Sequence, residues 1–508
     1  MPQIADLLLS KVGAVCLLAV AFLYLLITTV ISYRRLSHIP GPRFAAFSKL
    51  WFIWLTAQGD QYKTTTKLLH KYGSPVRIAP NMVIQDDPDF YRLYNTPRSN
   101  IGRGHWYAGM KFDPRLDNVL SEKDEKRHAQ LRAKMMAGYS GKDVPDREAN
   151  IDARIMDLVG LVRSYIARSA PIDMAEKLQF FTLDTLTDIA FGGPFGFITN
   201  DKDMYDYSAT SAAFYPLMEL GTVSRLVHSL LNSRLMQYLA GPKAGDKTGL
   251  GAIITIAAQR AAERFANPSI KKQDMLNSFI AHGLTQLECE SESTVLILAG
   301  SDSTATTMRA TLINLLTNPP VYAKLLSEIT AGIEAGKISS PVITNAEAIT
   351  LPYLQAVIRE GLRIQSPLNG IANRELPPEG LKINGTFVPG GTEVALQAHS
   401  MMTNPRYFGP TSYEFIPERW LTPEEGGFSD AESIKRMDKV LELSFSSGRS
   451  SCLGKGIALM ELNKLFVELL RRFDLSLVNA KKPIEVSYCS QLFIERGMWV
   501  RAVEREVK

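Results

Sequence analysis

From Val12 to Ile31 the chain reads VGAVCLLAVAFLYLLITTVI, twenty residues without a charge. At a helical rise of about 1.5 Å per residue the run is about 30 Å long, the thickness of a bilayer's hydrocarbon core. It ends at Tyr33-Arg34-Arg35 rather than at a small-residue cleavage site, so an uncleaved anchor is expected and not a signal peptide. Arg34 and Arg35 outweigh the Asp6/Lys11 flank, which places everything after them on the cytosolic side. The next segment, His38-Ile39-Pro40-Gly41-Pro42, cannot continue a helix, because proline lacks the donor and pushes its predecessor to extended geometry. The expected organisation is a short luminal N-terminus (1–11), a transmembrane helix (12–33), a basic and proline-rich hinge (34–44) and one large domain (45–508).

The 508 residues are 45% hydrophobic and 21% charged, ordinary values for a globular protein. A net charge of +5 with no Lys/Arg run gives no reason to expect nucleic acid as a partner. Four scattered cysteines make neither a disulfide framework nor a paired metal site, which fits a reducing compartment. Helical periodicity dominates, as in Tyr322, Leu325, Leu326, Ile329 and Ile333, which follow Pro319-Pro320 and stop near Gly336. A second apolar stripe, Leu462, Leu465, Phe466, Leu469, Leu470 and Phe473, predicts another helix. Strand-like runs are short and cluster between Leu381 and Ala398, with Asn384-Gly385-Thr386 read as a turn. Gly241 to Gly251 reads as a loop. No repeat and no G-x-G-x-x-G or Walker fingerprint is seen, so one mainly helical domain is expected, and any reducing equivalents must come from elsewhere.

Residues Phe445 to Gly454 read FSSGRSSCLG, with Cys452 just before the second apolar helix. Backbone donors and the positive end of a following helix stabilise a negative sulfur and favour metal ligation. Gly448 and Gly454 would let the backbone approach a flat ligand closely. Upstream, Ala299-Gly300-Ser301-Asp302-Ser303-Thr304 follows an apolar run and sets a carboxylate beside two hydroxyls, a pattern suited to proton relay. Glu360 and Arg363, at i and i+3 in an apolar stretch, pair opposite charges on one helical face.

The cysteine segment resembles the Phe-x-x-Gly-x-Arg-x-Cys-x-Gly loop of the cytochrome P450 family. The family's basic residue usually stands two before the cysteine, where this chain has Ser451; Arg449 stands three before. The Ala299–Thr304 segment resembles the family's oxygen-binding stretch, with Ser303 where threonine is usual. Glu360 and Arg363, joined by Arg419 from NPRYFGPTSYEFIPERW, resemble its structural Glu-Arg-Arg triad. His128 and Arg132 occupy the place of a usual Trp and Arg that reach the heme propionates, and Arg374 is a further propionate candidate. The stretches HAQLRAKMMAGYSGK and CLGKGIALMELNKLFVELLRRFD are particularly similar to fungal members of the pisatin-demethylase-like group.

The resemblance implies a mainly α P450 fold with small β-sheets, so that 45–508 is a heme-binding catalytic domain. It implies heme b (iron protoporphyrin IX) with Cys452 as axial thiolate and sole protein ligand to the metal, a ligand that favours O–O cleavage. Phe445, Gly448, Arg449, Gly454, Ala299 and Gly300 would line the cofactor with His128, Arg132 and Arg374, while Asp302, Ser303 and Thr304 would carry the catalytic protons. Implied further are a monooxygenase reaction on a small-molecule substrate in fungal secondary metabolism, NADPH-cytochrome P450 reductase as electron donor with cytochrome b5 as a second candidate, and single-pass residence in the endoplasmic reticulum membrane. By family position the pocket lining is Ile101 to Phe112, Phe214 to Met218, Leu298, Leu368 to Ile371 and Leu492 to Phe493. A heme-thiolate isomerase or peroxygenase, or a non-enzymatic heme-binding protein, are the alternatives.

Overall fold

The computed structural model describes residues 11–243 and 245–505, so of the stretch expected to be luminal all but Lys11 lies outside the described residues. Helix α1 (Lys11–Arg35) carries the apolar run and is the one helix among the described residues long and apolar enough to cross a membrane. Leu17, Leu18, Phe22 and Tyr24 are exposed along it. Its last turn is tied to the body of the protein. Ser32 Oγ donates to the Pro80 carbonyl at 2.8 Å, Arg35 bonds Asn81 and Thr392, and the buried Arg77 guanidinium donates to the carbonyls of Ser32, Tyr33, Ala46 and Pro80. The Pro40 carbonyl also accepts from Arg77 N at 2.8 Å, so the segment read as a hinge is docked on the first sheet through its backbone.

The helices that frame the rest of the argument are α2 (Glu125–Ser140), α3 (Met174–Phe191), α4 (Tyr207–Val223), α5 (Gln286–Thr317), α6 (Pro352–Ile364) and α7 (Lys455–Leu470). The strands are β1 (Val76–Ala79), β2 (Met82–Gln85), β3 (Gly102–Arg103), β4 (Ile172–Asp173), β5 (Arg374–Glu375), β6 (Leu381–Ile383), β7 (Thr386–Val388), β8 (Glu393–Leu396), β9 (Phe473–Leu477), β10 (Glu485–Cys489), β11 (Phe493–Arg496) and β12 (Trp499–Glu504). They form a five-stranded sheet in the order β1-β2-β8-β5-β3, a three-stranded sheet β4-β12-β9, and the pairs β10-β11 and β6-β7. Only β2 and β8 run parallel, with Met82 opposite Glu393. The β6–β7 hairpin turns at Asn384 and Gly385, whose φ angles of 47° and 79° are what an Asn-Gly turn supplies.

The expected mainly helical fold with small sheets is the one observed. Helix α5, 32 residues long, starts at a capping box in which Thr285 and Glu288 satisfy each other's backbone donors. It crosses α3 closely at Gly300, where a Cβ would lie 2.8 Å from Leu186 Cδ2. The second predicted helix ends at Leu470 rather than Phe473, because Phe473 opens β9, whose side chains alternate between core and solvent. The glycine-rich loop likewise stops short of Gly251, since a helix begins at Gly249.

One polar cluster is sealed into this core. Glu360 on α6 accepts both Nε and Nη2 of Arg363, at 2.8 and 2.7 Å, and Arg419 Nε, Trp420 Nε1 and Ile416 N at 2.7–2.9 Å. Arg363 and Arg419 spend their remaining donors on the carbonyls of Met402, Phe408, Thr411, Ser412 and Glu414. A surface salt bridge is therefore not what this pair makes; all three side chains are buried. Glu360→Ala should cost about 3–5 kcal/mol, because it strands two buried guanidiniums. Denaturant unfolding of the variant beside wild type measures this directly.

Candidate active site

The cysteine loop is closed by its own backbone. Cys452 N donates to the Phe445 carbonyl at 2.7 Å, Ser451 N to Gly448 at 3.1 Å and Arg449 N to Asn95 at 3.0 Å. Gly448 has φ +51°, and a Cβ there would sit 2.2 Å from the Asn95 carbonyl oxygen, so this glycine serves the contact with the 94–96 turn. Phe445 is half-buried against the core, with Lys455 Nζ 5.7 Å from its ring centre. Cys452 is surrounded by protein atoms yet its side chain is exposed. Burial pushes its thiol pKa up, while the backbone N–H groups of Gly454 and Lys455 and the charges on Arg132 and Lys455 push it down. Those donors, at the first turn of α7, would support a thiolate once a cation binds the sulfur.

Arginines gather beside this loop. Arg132 on α2 donates to Ser451 Oγ at 3.1 Å, and the buried Arg374 on β5 donates to Ser450 Oγ at 2.7 Å and Asn95 Oδ1 at 2.9 Å. Arg449 grips the carbonyls of Tyr94, Ser99 and Ile101. Glu125 faces Arg103, Arg374 and Arg449 at 3.3–3.6 Å and is shared among the three. His128 is buried, with Nε2 2.6 Å from Arg103 Nη2, and does not lie on a solvated face. Burial and the charges of Arg103, Arg132, Arg374 and Arg449 push its pKa down to about 3, so at neutral pH it adds no charge.

Three guanidiniums on one carboxylate, with Arg132 beside the same loop, leave an excess of positive charge, and the Nε atoms of Arg103, Arg374 and Arg449 are buried without a hydrogen-bond acceptor. A dicarboxylate ligand such as heme would supply both the charge and the acceptors. Among the described residues no cluster of three His, Cys, Asp or Glu could hold a bare metal ion. The residues present thus fit heme.

On α5 the side chains from Cys289 to Leu298 are buried, and the helix opens at Ala299, Gly300 and Ser303 before closing again at Thr304. Ser303 Oγ donates to the Ala299 carbonyl at 2.8 Å. Asp302 points elsewhere, into a buried cluster with Gln179, Tyr207 and Tyr215. Sequence reading missed these three partners because they lie 87 to 123 residues away, and nothing local marks them.

An apolar cluster joins Trp106, Tyr107, Met110, Tyr215 and Met218 to Ile494, with Phe112, Phe214 and Leu492 packed against it. All but Ile494 come from three of the expected lining segments. Other expected members lie apart: Ile101 sits in the cluster beside β2 and β8, Ile371 in the one beneath β1, and Leu298 in the main core. Phe493 packs edge-on against Tyr62. Polar bonds lock the aromatic cluster in place. The fully buried Glu219 on α4 accepts from Gln491 N, Leu492 N and Tyr488 OH at 2.9–3.1 Å, while Gln491 bonds Thr222 and Trp106.

Two predictions follow from this geometry. Arg132→Ala should lower heme retained per protein with little effect on apoprotein stability, whereas Arg449→Ala should destabilise the apoprotein too, because it releases three backbone carbonyls; heme content and thermal unfolding separate the two. Burial pushes Glu219 up to about 8, above the ordinary 4.5. Between those values the folded state binds more protons than the unfolded one, so stability should fall as pH rises from 5 to 8. Glu219→Gln should flatten that slope in denaturant titrations run across the window.

Comparison with known proteins adds an independent line. The family model described as Cytochrome P450 matches residues 40–494. The chain is 39% identical over 481 residues to Cytochrome P450 monooxygenase aba1 of Botryotinia fuckeliana, covering 93% of this chain and 92% of that one. It is 37% identical over 500 residues to Cytochrome P450 monooxygenase ABA1 of Pyricularia oryzae, covering 96% of each. To Cytochrome P450 monooxygenase pkfB of Emericella nidulans it is 30% identical over 517 residues, covering 99% and 98%.

Proposed function

Because the chain belongs to the cytochrome P450 family and is a monooxygenase of it, we propose that it hydroxylates a small apolar molecule of fungal secondary metabolism, with electrons from NADPH delivered by a separate reductase. The observation that carries this reading is the exposed Cys452 thiol, met by the Gly454 and Lys455 N–H groups at the head of α7. Heme b, when bound, supplies dioxygen activation. In this reading Cys452 would ligate its iron and Arg132 and Arg374 would hold its propionates. Phe445, Gly448, Arg449 and Gly454 would shape the loop beneath it, His128 would brace Arg103 beside the propionates, and Ala299 and Gly300 would border the other face.

The residues of α5 and α4 do the rest. Asp302, Ser303 and Thr304 would move protons from the interior to the opening at Ala299, and Ser303 Oγ sits at that opening already. The aromatic cluster around Trp106, Phe112 and Phe214 would exclude water and orient an apolar, ring-sized substrate through its faces. The overall change balances as RH + O2 + NADPH + H+ giving ROH + H2O + NADP+. The anchor helix and the arginines that follow it support single-pass residence in the endoplasmic reticulum membrane with the domain in the cytosol. NADPH-cytochrome P450 reductase is the expected donor and cytochrome b5 a second one.

The test is turnover of the full chain, with reductase and NADPH, against a panel of terpenoid and polyketide candidates under 18O2. One 18O atom should enter the product, and Ser303→Ala should lower product per NADPH by about 10²-fold, the low end for a lost proton-transfer group. Conversion that proceeds without reductase, driven by peroxide or with no oxygen gained, would contradict the reading.

A further inference from the structure

Three donors from two other helices hold the Asp302 carboxylate. Gln179 Nε2 on α3 donates to Oδ1 at 2.5 Å, while the hydroxyls of Tyr207, at 3.3 Å, and Tyr215, both on α4, donate to Oδ2. The Tyr207 hydroxyl also lies 3.1 Å from Ser301 Oγ. Behind Gln179 stands Arg309, with Nη2 3.3 Å from its Oε1, and Arg309 in turn faces Glu495 on β11 at 3.8 Å. Every one of these side chains is buried.

A buried carboxylate needs donors on both oxygens: Gln179 serves Oδ1, and Tyr207 and Tyr215 serve Oδ2. The tyrosines also do something that a donor from any other element would not. They bind Asp302 to α4, the helix that also places Phe214 and Met218 in the aromatic cluster. Successive residues of a helix point about 100° apart. Asp302 therefore points about 100° from Ser303 around α5, and its carboxylate is directed to α3 and α4.

We propose that Tyr207 and Tyr215 are positioning residues for proton delivery: they hold the Asp302 carboxylate on the α4 side of α5 and so tie its release toward Ser303 to the position of the helix over the substrate pocket. The inference rests on the reading of Asp302 and Ser303 as the proton relay. With α4 in the observed place the acid is withheld; a substrate that shifts α4 loosens both hydroxyls together. The charges agree in sign. Burial pushes the Asp302 pKa up, and the hydrogen bonds from Tyr215 and Tyr207 and the charge of Arg309 push it down. Gln179 is neutral, and Glu495 reaches Asp302 only through Arg309. Removing both hydroxyls removes donors to the ionised form, so the carboxyl should protonate at higher pH.

The experiment uses the full-length holoenzyme in four forms: wild type, Tyr207→Phe/Tyr215→Phe, Asp302→Asn and the triple variant, with Tyr207→Phe alone as a milder change. The first readout needs no turnover. The infrared band of a protonated carboxyl that Asp302→Asn abolishes is titrated, and in the double variant it should appear at higher pH. The second is NADPH consumed with reductase and no added substrate, where O2 + 4e− + 4H+ gives 2H2O and O2 + 2e− + 2H+ gives H2O2. An acid no longer withheld should raise this consumption about ten-fold, the scale of a lost hydrogen bond to a charged group, and the rise should vanish in the triple variant. A double variant that matches wild type in both readouts, while Asp302→Asn slows NADPH consumption, overturns the proposal and leaves the relay standing. A rise that persists in the triple variant also overturns it. If Asp302→Asn alone changes neither consumption nor its solvent isotope effect, the relay reading itself fails.

Discussion

A sulfur anion is costly to keep inside a protein, and the structure around Cys452 offsets that cost on several sides. The N–H groups of Gly454 and Lys455 meet the sulfur at the head of α7, and Arg132 adds a charge from α2. None of these donors holds its place alone. The loop is closed by the Cys452–Phe445 backbone bond and pressed against the 94–101 segment through Gly448 and Arg449. Farther back, the buried Glu360–Arg363–Arg419 network fixes α6 to the carbonyls of the 402–414 segment, which leads toward the cysteine loop.

The same reasoning covers the arginines. Arg103, Arg132, Arg374 and Arg449 would repel one another; Glu125 is shared by Arg103, Arg374 and Arg449, whose buried Nε atoms lack a hydrogen-bond acceptor. Such a cluster makes physical sense as the receiving half of an interaction with a dianionic cofactor. The Cys452 sulfur and the guanidiniums beside its loop are thus two parts of one electrostatic arrangement. On α5 the buried face is interrupted at Ala299, Gly300 and Ser303.

Much of this was legible because it is local. The apolar run of α1, the cysteine loop before α7, the Asn384-Gly385 turn and the i, i+3 pair Glu360/Arg363 are each fixed within a few residues of chain. What was not legible depends on distance. That Gly448 faces Asn95, that Gly300 makes room for Leu186, and that Asp302 is held by Tyr207 and Tyr215 are facts of packing between segments far apart in sequence. The apolar stripe through Phe473 misled for a related reason, since the same leucines and phenylalanines serve a helix to Leu470 and a strand after it. Strands β1, β2 and β9 to β12 escaped notice because they are only four to six residues long, too short for their alternation to stand out.

If Cys452 presents a thiolate to heme iron, the reduced, carbon monoxide-bound difference absorption spectrum of membranes carrying the full chain, recorded beside Cys452→Ala, shows it. A Soret band at the red-shifted thiolate position, lost in the variant, is the expected result. A histidine-like Soret band in wild type, or a thiolate band that survives in Cys452→Ala, would contradict it.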